Sequence, residues 1–155
     1  MGFGRLVTIA GAVGLLLGLV MPWYGERASD QSGTDVETYT AFQQFTAVDV
    51  ALLTLAVLIV LAAIVTPALA EREAYLLTAE RSEGELYAGL GVLVAAGVAL
   101  TLVLVKVAGP VPEIDFVLRY GSRFALACAS ITVAGALIWV FAAIDRVLGA
   151  LRDAA

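Results

Sequence analysis

The chain has 155 residues, 61% of them hydrophobic and 15% charged, with a mean hydropathy of +0.96 and a formal charge of −5. A soluble domain carries roughly 45–50% apolar and about 25% charged residues, so these values point to a membrane protein. The acidic balance excludes a nucleic-acid surface built on clustered Lys and Arg, and a chain without histidine lacks the commonest haem ligand, a common zinc ligand and any Ser–His or Cys–His catalytic pair.

The apolar residues gather into four uncharged runs, Leu6 to Gly25, Val50 to Ala70, Leu86 to Val105 and Phe124 to Ile144, each 20 or 21 residues long. At ~1.5 Å per residue such a run makes a helix of roughly 30 Å, the thickness of a bilayer's hydrocarbon core. The runs lack the period-2 alternation of barrel strands, so helices are predicted. The fold class read from the sequence is all-α integral membrane, an antiparallel four-helix transmembrane bundle. It forms a single four-span domain over residues 1–155, with spans at about 4–24, 47–70, 83–108 and 122–146.

The first run is read as a retained span rather than a signal peptide, because no A-x-A-like site follows it. It ends at Pro22, Trp23 and Tyr24, and the aromatic pair is expected to anchor the span at headgroup level. The sharper alternative is a rigid corner packed against the third loop or a partner protein. The first loop, Pro22 to Asp49, holds one basic residue, Arg27, against Glu26, Asp30, Asp35, Glu37 and Asp49, which suits an outer face. Arg5, Arg72, Arg81, Arg146 and Arg152 then lie inside, against Arg27, Lys106, Arg119 and Arg123 outside. This weak positive-inside bias predicts that both termini are cytoplasmic.

Val36 to Phe42 and Ile114 to Tyr120 are rich in β-branched and aromatic residues. A small extracellular cap is predicted there, either a short strand pair joining the two outer loops or an irregular cover. Thr46 with Asp49, and Ser82 with Glu85, fit capping boxes that would start spans two and three near Ala47 and Glu83. Thr66 and Pro67 either open a separate helix or kink the second span. Glu71 to Glu85 reads as an acidic helical hairpin protruding into the cytoplasm. Gly109 before Pro110 is the expected stop of span three, and the lone Cys128, inside the fourth run, is expected to be an inert packing residue.

Association of helices in lipid relies on small residues that allow close approach. Candidate stripes are Gly4, Gly11, Gly14 and Gly18 in span one, Gly84, Ala88, Gly91 and Ala95 in span three, and Gly121, Ala125, Cys128, Thr132 and Gly135 in span four. Span two offers a thinner one, Ala51, Thr54, Leu58 and Ala62. Such packing leaves little room for a pore within one chain. A pore between subunits would need Thr8, Thr54, Thr101, Ser130 or Thr132, hydroxyls expected to bond to their own helix's carbonyls instead. Among the charges at the outer edge, Asp49 is read as a helix-cap residue or as an ion-pair partner of Arg123 or Lys106. Lys106 is expected to snorkel, and Arg146 with Asp145 to form an inner-edge pair. The candidate interface or anchor residues are Trp23, Tyr24, Asp49, Lys106, Arg119 and Arg123. No catalytic, cofactor-binding or metal-ligating residue is predicted.

With Pro-Trp-Tyr directly after span one, TAFQQFTAVDVALL leading into span two and GPVPEIDFVLRYGSRFALACASITVAGALI joining spans three and four, the chain resembles a group of short four-span membrane proteins of high-GC Gram-positive bacteria. That resemblance implies the four-span architecture and a bacterial inner-membrane setting. In outline, with a larger first outer loop and a smaller second, the chain also resembles claudin-like tetraspan proteins, without their paired loop cysteines or W-GLW-C-C pattern. The sequence carries no nucleophile–base pair, metal cluster or phosphate loop. Its leading functional reading is a non-catalytic accessory or scaffold protein in contact with membrane lipid and with a protein partner or further copies of itself. The alternative is an oligomeric ion channel or small-solute transporter, and an enzyme or quinone-binding subunit is the third possibility.

Overall fold

The structure, a computed structural model, describes residues 2–26, 38–43, 46–72, 78–109 and 116–153. The first helix, α1, spans Phe3–Val20. Pro22 disfavours a helical residue before it, and Met21 accordingly sits in extended conformation at φ −78°, ψ 160°, closing the helix with a bond from its N–H to Gly18 O. The predicted span of residues 4–24 is thereby shortened, because Pro22–Glu26 forms a strand, β1. Two further strands, β2 (Thr38–Thr40) and β3 (Phe116–Leu118), flank it in the order β2-β1-β3, both antiparallel.

The two segments expected to be extended do supply strands, but they do not pair with each other. β1 lies between them, setting Tyr24 opposite both Tyr39 and Leu118. The register slips between Pro22 and Tyr24. Such a bulge bends a strand and re-aims side chains, and the neighbours Trp23 and Tyr24 are both buried.

A short 3-10 turn, Ala41–Gln43, leads on to α2 (Thr46–Arg72). α2 runs through Pro67, so no separate helix opens there. α3 spans Thr78–Ala108 and α4 Tyr120–Asp153. Residues 73–77, the tip of the expected acidic hairpin, lie outside the described residues. α3 begins a turn ahead of Ser82, so the capping box placed at Ser82 and Glu85 falls inside the helix. At the other end Gly109 donates to Val105 O at 2.8 Å, and a Cβ on Gly109 would come within 2.6 Å of that oxygen.

Four helices, Phe3–Val20, Ala47–Thr66, Glu83–Ala108 and Tyr120–Arg152, are long and apolar enough to cross a membrane, as a multi-pass membrane protein requires. Each packs against its two neighbours in the cyclic order α1, α2, α3, α4, and the sheet covers one end of the ring. The seam between α1 and α4 is the tightest. Cβ atoms built at Gly4 and Gly11 would stand 2.5 Å from Trp139 N and Thr132 Oγ1, and one at Gly135 would collide with the backbone of Thr8. Gly14 faces Cys128 Sγ, Gly18 faces Ala125, and Gly121 meets Pro22 O at the base of β1. As α1 rises the matching positions in α4 fall, so the pair is antiparallel.

The interior has a regular phase. The buried residues are Asp49, Leu52, Ala56, Ile59 and Ala63 on α2, and Glu85, Gly89, Val92, Ala96, Ala99, Val103 and Lys106 on α3. These are alternating steps of three and four, the heptad spacing of a left-handed bundle. Arg5, Thr8, Ala12, Leu15 and Leu19 on α1, and Ser122, Ala125, Ala129, Thr132, Ala136, Trp139 and Ala143 on α4, follow the same rule. The stripes expected on α2 and α3 are therefore displaced by one residue, about 100° around a helix. Thr54, Leu58, Gly84 and Gly91 are exposed, Gly91 has open space where a Cβ would stand, and Ala95 is half-buried beside the core. A phase chosen by small size alone misses the interior, whereas the buried series carries the charged residues that lipid would not accept.

Candidate functional site

Buried charge concentrates at the two ends of the ring, and both ends are built on one plan: an acid from one helix meets a basic side chain lying over a tryptophan. At the end covered by the sheet, Lys106 of α3 donates to the carboxylate of Asp49 on α2 and to Ala41 O at 3.1 Å, its Nζ standing 4.8 Å from the centre of the Trp23 ring. Trp23 is held in place by its indole N–H, which donates to Gly18 O at 2.7 Å, and by its carbonyl, which accepts from Arg119 N at 2.8 Å. Asp49 is 0% exposed, Trp23 0%, Tyr24 1% and Lys106 8%. At the opposite end, Arg5 of α1 donates to Glu85 Oε1 of α3 at 2.7 Å and lies 4.8 Å above the Trp139 ring of α4, while Arg146 of α4 donates to Glu85 Oε2.

Several expectations change in this light. Trp23 and Tyr24 do not form a lipid-facing belt, because the bulged strand turns both rings into the core, and the corner against the third loop is what β1 and β3 build. The ion pair expected of Asp49 is made with Lys106, and the acid also stands in the first turn of α2, where the helix dipole favours it. Lys106 is buried rather than snorkelling. Glu85 bridges Arg5 and Arg146, so Arg146 turns toward α3 and not toward Asp145. Arg119 is half-buried, with its guanidinium against Gly25, and Arg123 is exposed.

The hydroxyls behave as expected. Thr8, Thr54, Thr101, Ser130 and Thr132 each donate to the carbonyl four residues earlier in their own helix, at 2.8–2.9 Å. Cys128 is free and buried in the α1–α4 seam.

Among the described residues, Tyr24 is the one clearly shifted acid outside the spans. Burial, with a smaller contribution from the Asp49 charge, pushes its phenol up to about 12. Its O–H, the second carboxylate oxygen of Asp49 and the indole N–H of Trp139 are buried without a hydrogen-bond partner among the described residues.

The sequence reading takes Glu85 only as a cap residue and Arg5 only as an inner charge, and does not single out Trp139 or the bridging role of Arg146. The signal was present in α3, where Glu85 and Lys106 stand at the two ends of one heptad series. No protein-family model matches the chain, and no curated protein matches it.

Proposed function

We propose that the chain is a non-catalytic accessory or scaffold protein of a bacterial cytoplasmic membrane, acting through protein–protein contacts, with both termini in the cytoplasm and the sheet as its outer cap. The observation that carries this reading is the commitment of the span hydroxyls and of the buried charged side chains. Five span hydroxyls bond to their own helices, and Arg5, Asp49, Glu85 and Lys106 are engaged in ion pairs that tie helices together. Groups used in this way brace a rigid body and are not free to line a solute path or handle a substrate. The common end of the bundle for both termini, and the acidic first loop at the other, support the orientation.

Purification from native membranes in mild detergent, followed by mass spectrometry, tests the reading. The expected result is recovery of the same membrane protein, or of further copies of the chain, at fixed stoichiometry. Repeated recovery of the lone chain would overturn it. In parallel, liposomes carrying the purified protein should show no ion flux over a panel of ions and pH values. Flux would shift the assignment to an oligomeric channel.

A further inference from the structure

We propose that the end of the bundle opposite the sheet carries a binding site for the phosphate of an anionic phospholipid, with the Arg146 guanidinium as its donor. Glu85 accepts there from two guanidiniums, from Arg5 through Oε1 at 2.7 Å and from Arg146 through Oε2. One carboxylate balances only one of them. The Arg5 side chain is 6% exposed and is sealed against Glu85, so the surplus positive charge is that of Arg146, whose side chain is 50% exposed. A guanidinium has five N–H donors. Arg146 Nε donates to Ala142 O at 3.0 Å and Nη1 to Glu85, whereas Nη2 has no hydrogen-bond partner among the described residues.

Position and charge decide what meets those donors. Glu85 and Lys106 close the two ends of one buried series on α3, about 30 Å apart at ~1.5 Å per residue, which is the thickness of a bilayer's hydrocarbon core. The guanidinium bonded to Glu85 therefore stands at headgroup level. Its bond to Ala142 O folds the side chain back along α4 toward the membrane middle, where Ala142 is exposed and Ile138 is 41% exposed on the same outward stripe. A phospholipid suits both parts: its phosphate oxygens match the guanidinium fork, and its acyl chain covers the apolar stripe. The exposed acids nearby are turned away. Asp145 lies about 100° around α4 from Arg146, and Glu83 on nearly the opposite side of α3 from Glu85. An anionic headgroup complements the surplus charge, whereas a zwitterionic one brings a cation of its own to the site. The proposal rests on the chain crossing a membrane and not on the scaffold reading.

Native mass spectrometry of the full chain, released from bilayers of mixed phosphatidylglycerol and phosphatidylcholine, tests the proposal together with carbon–phosphorus dipolar-recoupling NMR in the same bilayers. The wild-type chain should retain phosphatidylglycerol several-fold over phosphatidylcholine, and an arginine guanidinium carbon should show close contact with lipid phosphorus. Arg146→Gln should abolish both the preference and that contact. Arg152→Gln, which removes the same charge from an exposed position on the same helix, should keep both. Equal retention of the two lipids would overturn the proposal, as would equal losses in the two variants. Displacement of the retained lipid by inorganic phosphate at constant ionic strength would overturn the choice of a lipid ligand. If Arg146→Gln does not fold, the wild-type lipid ratio and carbon–phosphorus contact, measured beside Arg152→Gln, decide by themselves.

Discussion

Replacing Lys106 by Met should be among the most damaging single changes this bundle can undergo, whereas adding Asp49→Leu to it should restore most of the loss. With side-chain exposures of 3% and 0%, neither group can be rehydrated when the other is removed. A buried carboxylate stripped of its cation costs about 3–5 kcal/mol. Asp49→Leu alone leaves the ammonium with Ala41 O and the Trp23 ring, a cation–π contact that contributes about 2 kcal/mol when desolvated. Its cost should therefore lie near the lower end of the range, about 3 kcal/mol. The double variant has no stranded charge, and apolar replacement of a buried pair is often neutral or stabilising. It should fall within about 2 kcal/mol of wild type, the remainder being the lost contacts to Ala41 and Trp23. Unfolding in mixed micelles titrated with denaturing detergent, followed by circular dichroism, gives all four corners of the cycle. A Lys106→Met cost under about 1 kcal/mol, or a coupling under about 0.5 kcal/mol as for independent sites, would refute the argument that this pair is sealed from water.

At the opposite end Glu85→Gln should cost about 3–5 kcal/mol because it strands Arg5, whereas Arg146→Ala, whose side chain is 50% exposed, should cost about 1 kcal/mol or less; the same unfolding assay ranks them. Gly135→Ala, which drives a methyl into the Thr8 backbone, should destabilise by about 1–3 kcal/mol. Gly91→Ala, with open space around it, should be neutral or stabilising by up to about 1 kcal/mol through helix propensity. The Tyr24 phenol, raised from 10.0 to about 12, favours the folded state fully below pH 10. That contribution, about 3 kcal/mol for two pH units, disappears as pH rises from 10 to 12; an ultraviolet phenolate titration should show a late step that Tyr24→Phe abolishes. Finally, since Trp23 and Trp139 are 0% and 2% exposed, indole fluorescence should resist quenching by aqueous iodide and by headgroup-level spin labels, an outcome a lipid-facing Trp23 would reverse.

The four spans were legible because an uncharged run of bilayer length has no polar face to turn toward water. The α1–α4 stripe was legible too, since Gly4, Gly11, Gly18 and Gly135 admit backbones to near contact. The phases of α2 and α3 were not, because Gly84, Ala88, Gly91 and Ala95 form as regular a series as the true one. Asp49, Glu85 and Lys106 break the tie: charged groups must turn inward where a span meets oil. Following them through the heptad leads to Ala56, Ile59, Val92 and Ala99. The strand at Pro22–Glu26 was hidden by its place at the end of an apolar run, where Trp23 and Tyr24 read as headgroup anchors. Its two partner segments lie far apart in sequence, so only tertiary structure shows that both pair with it. Trp139 had no local signal, since an indole beneath Arg5 is indistinguishable from any other apolar residue of a span.

The tightest seam joins the first helix to the last, and this dictates the timetable of assembly. Arg5 leaves the ribosome 80 residues before Glu85, and the glycine face of α1 waits longer still, until α4 has been synthesised. The nascent chain must therefore keep an uncompensated guanidinium at the membrane edge and an unfilled glycine groove while the middle spans insert. A chain truncated ahead of α4 would retain α1, yet could not zip it shut.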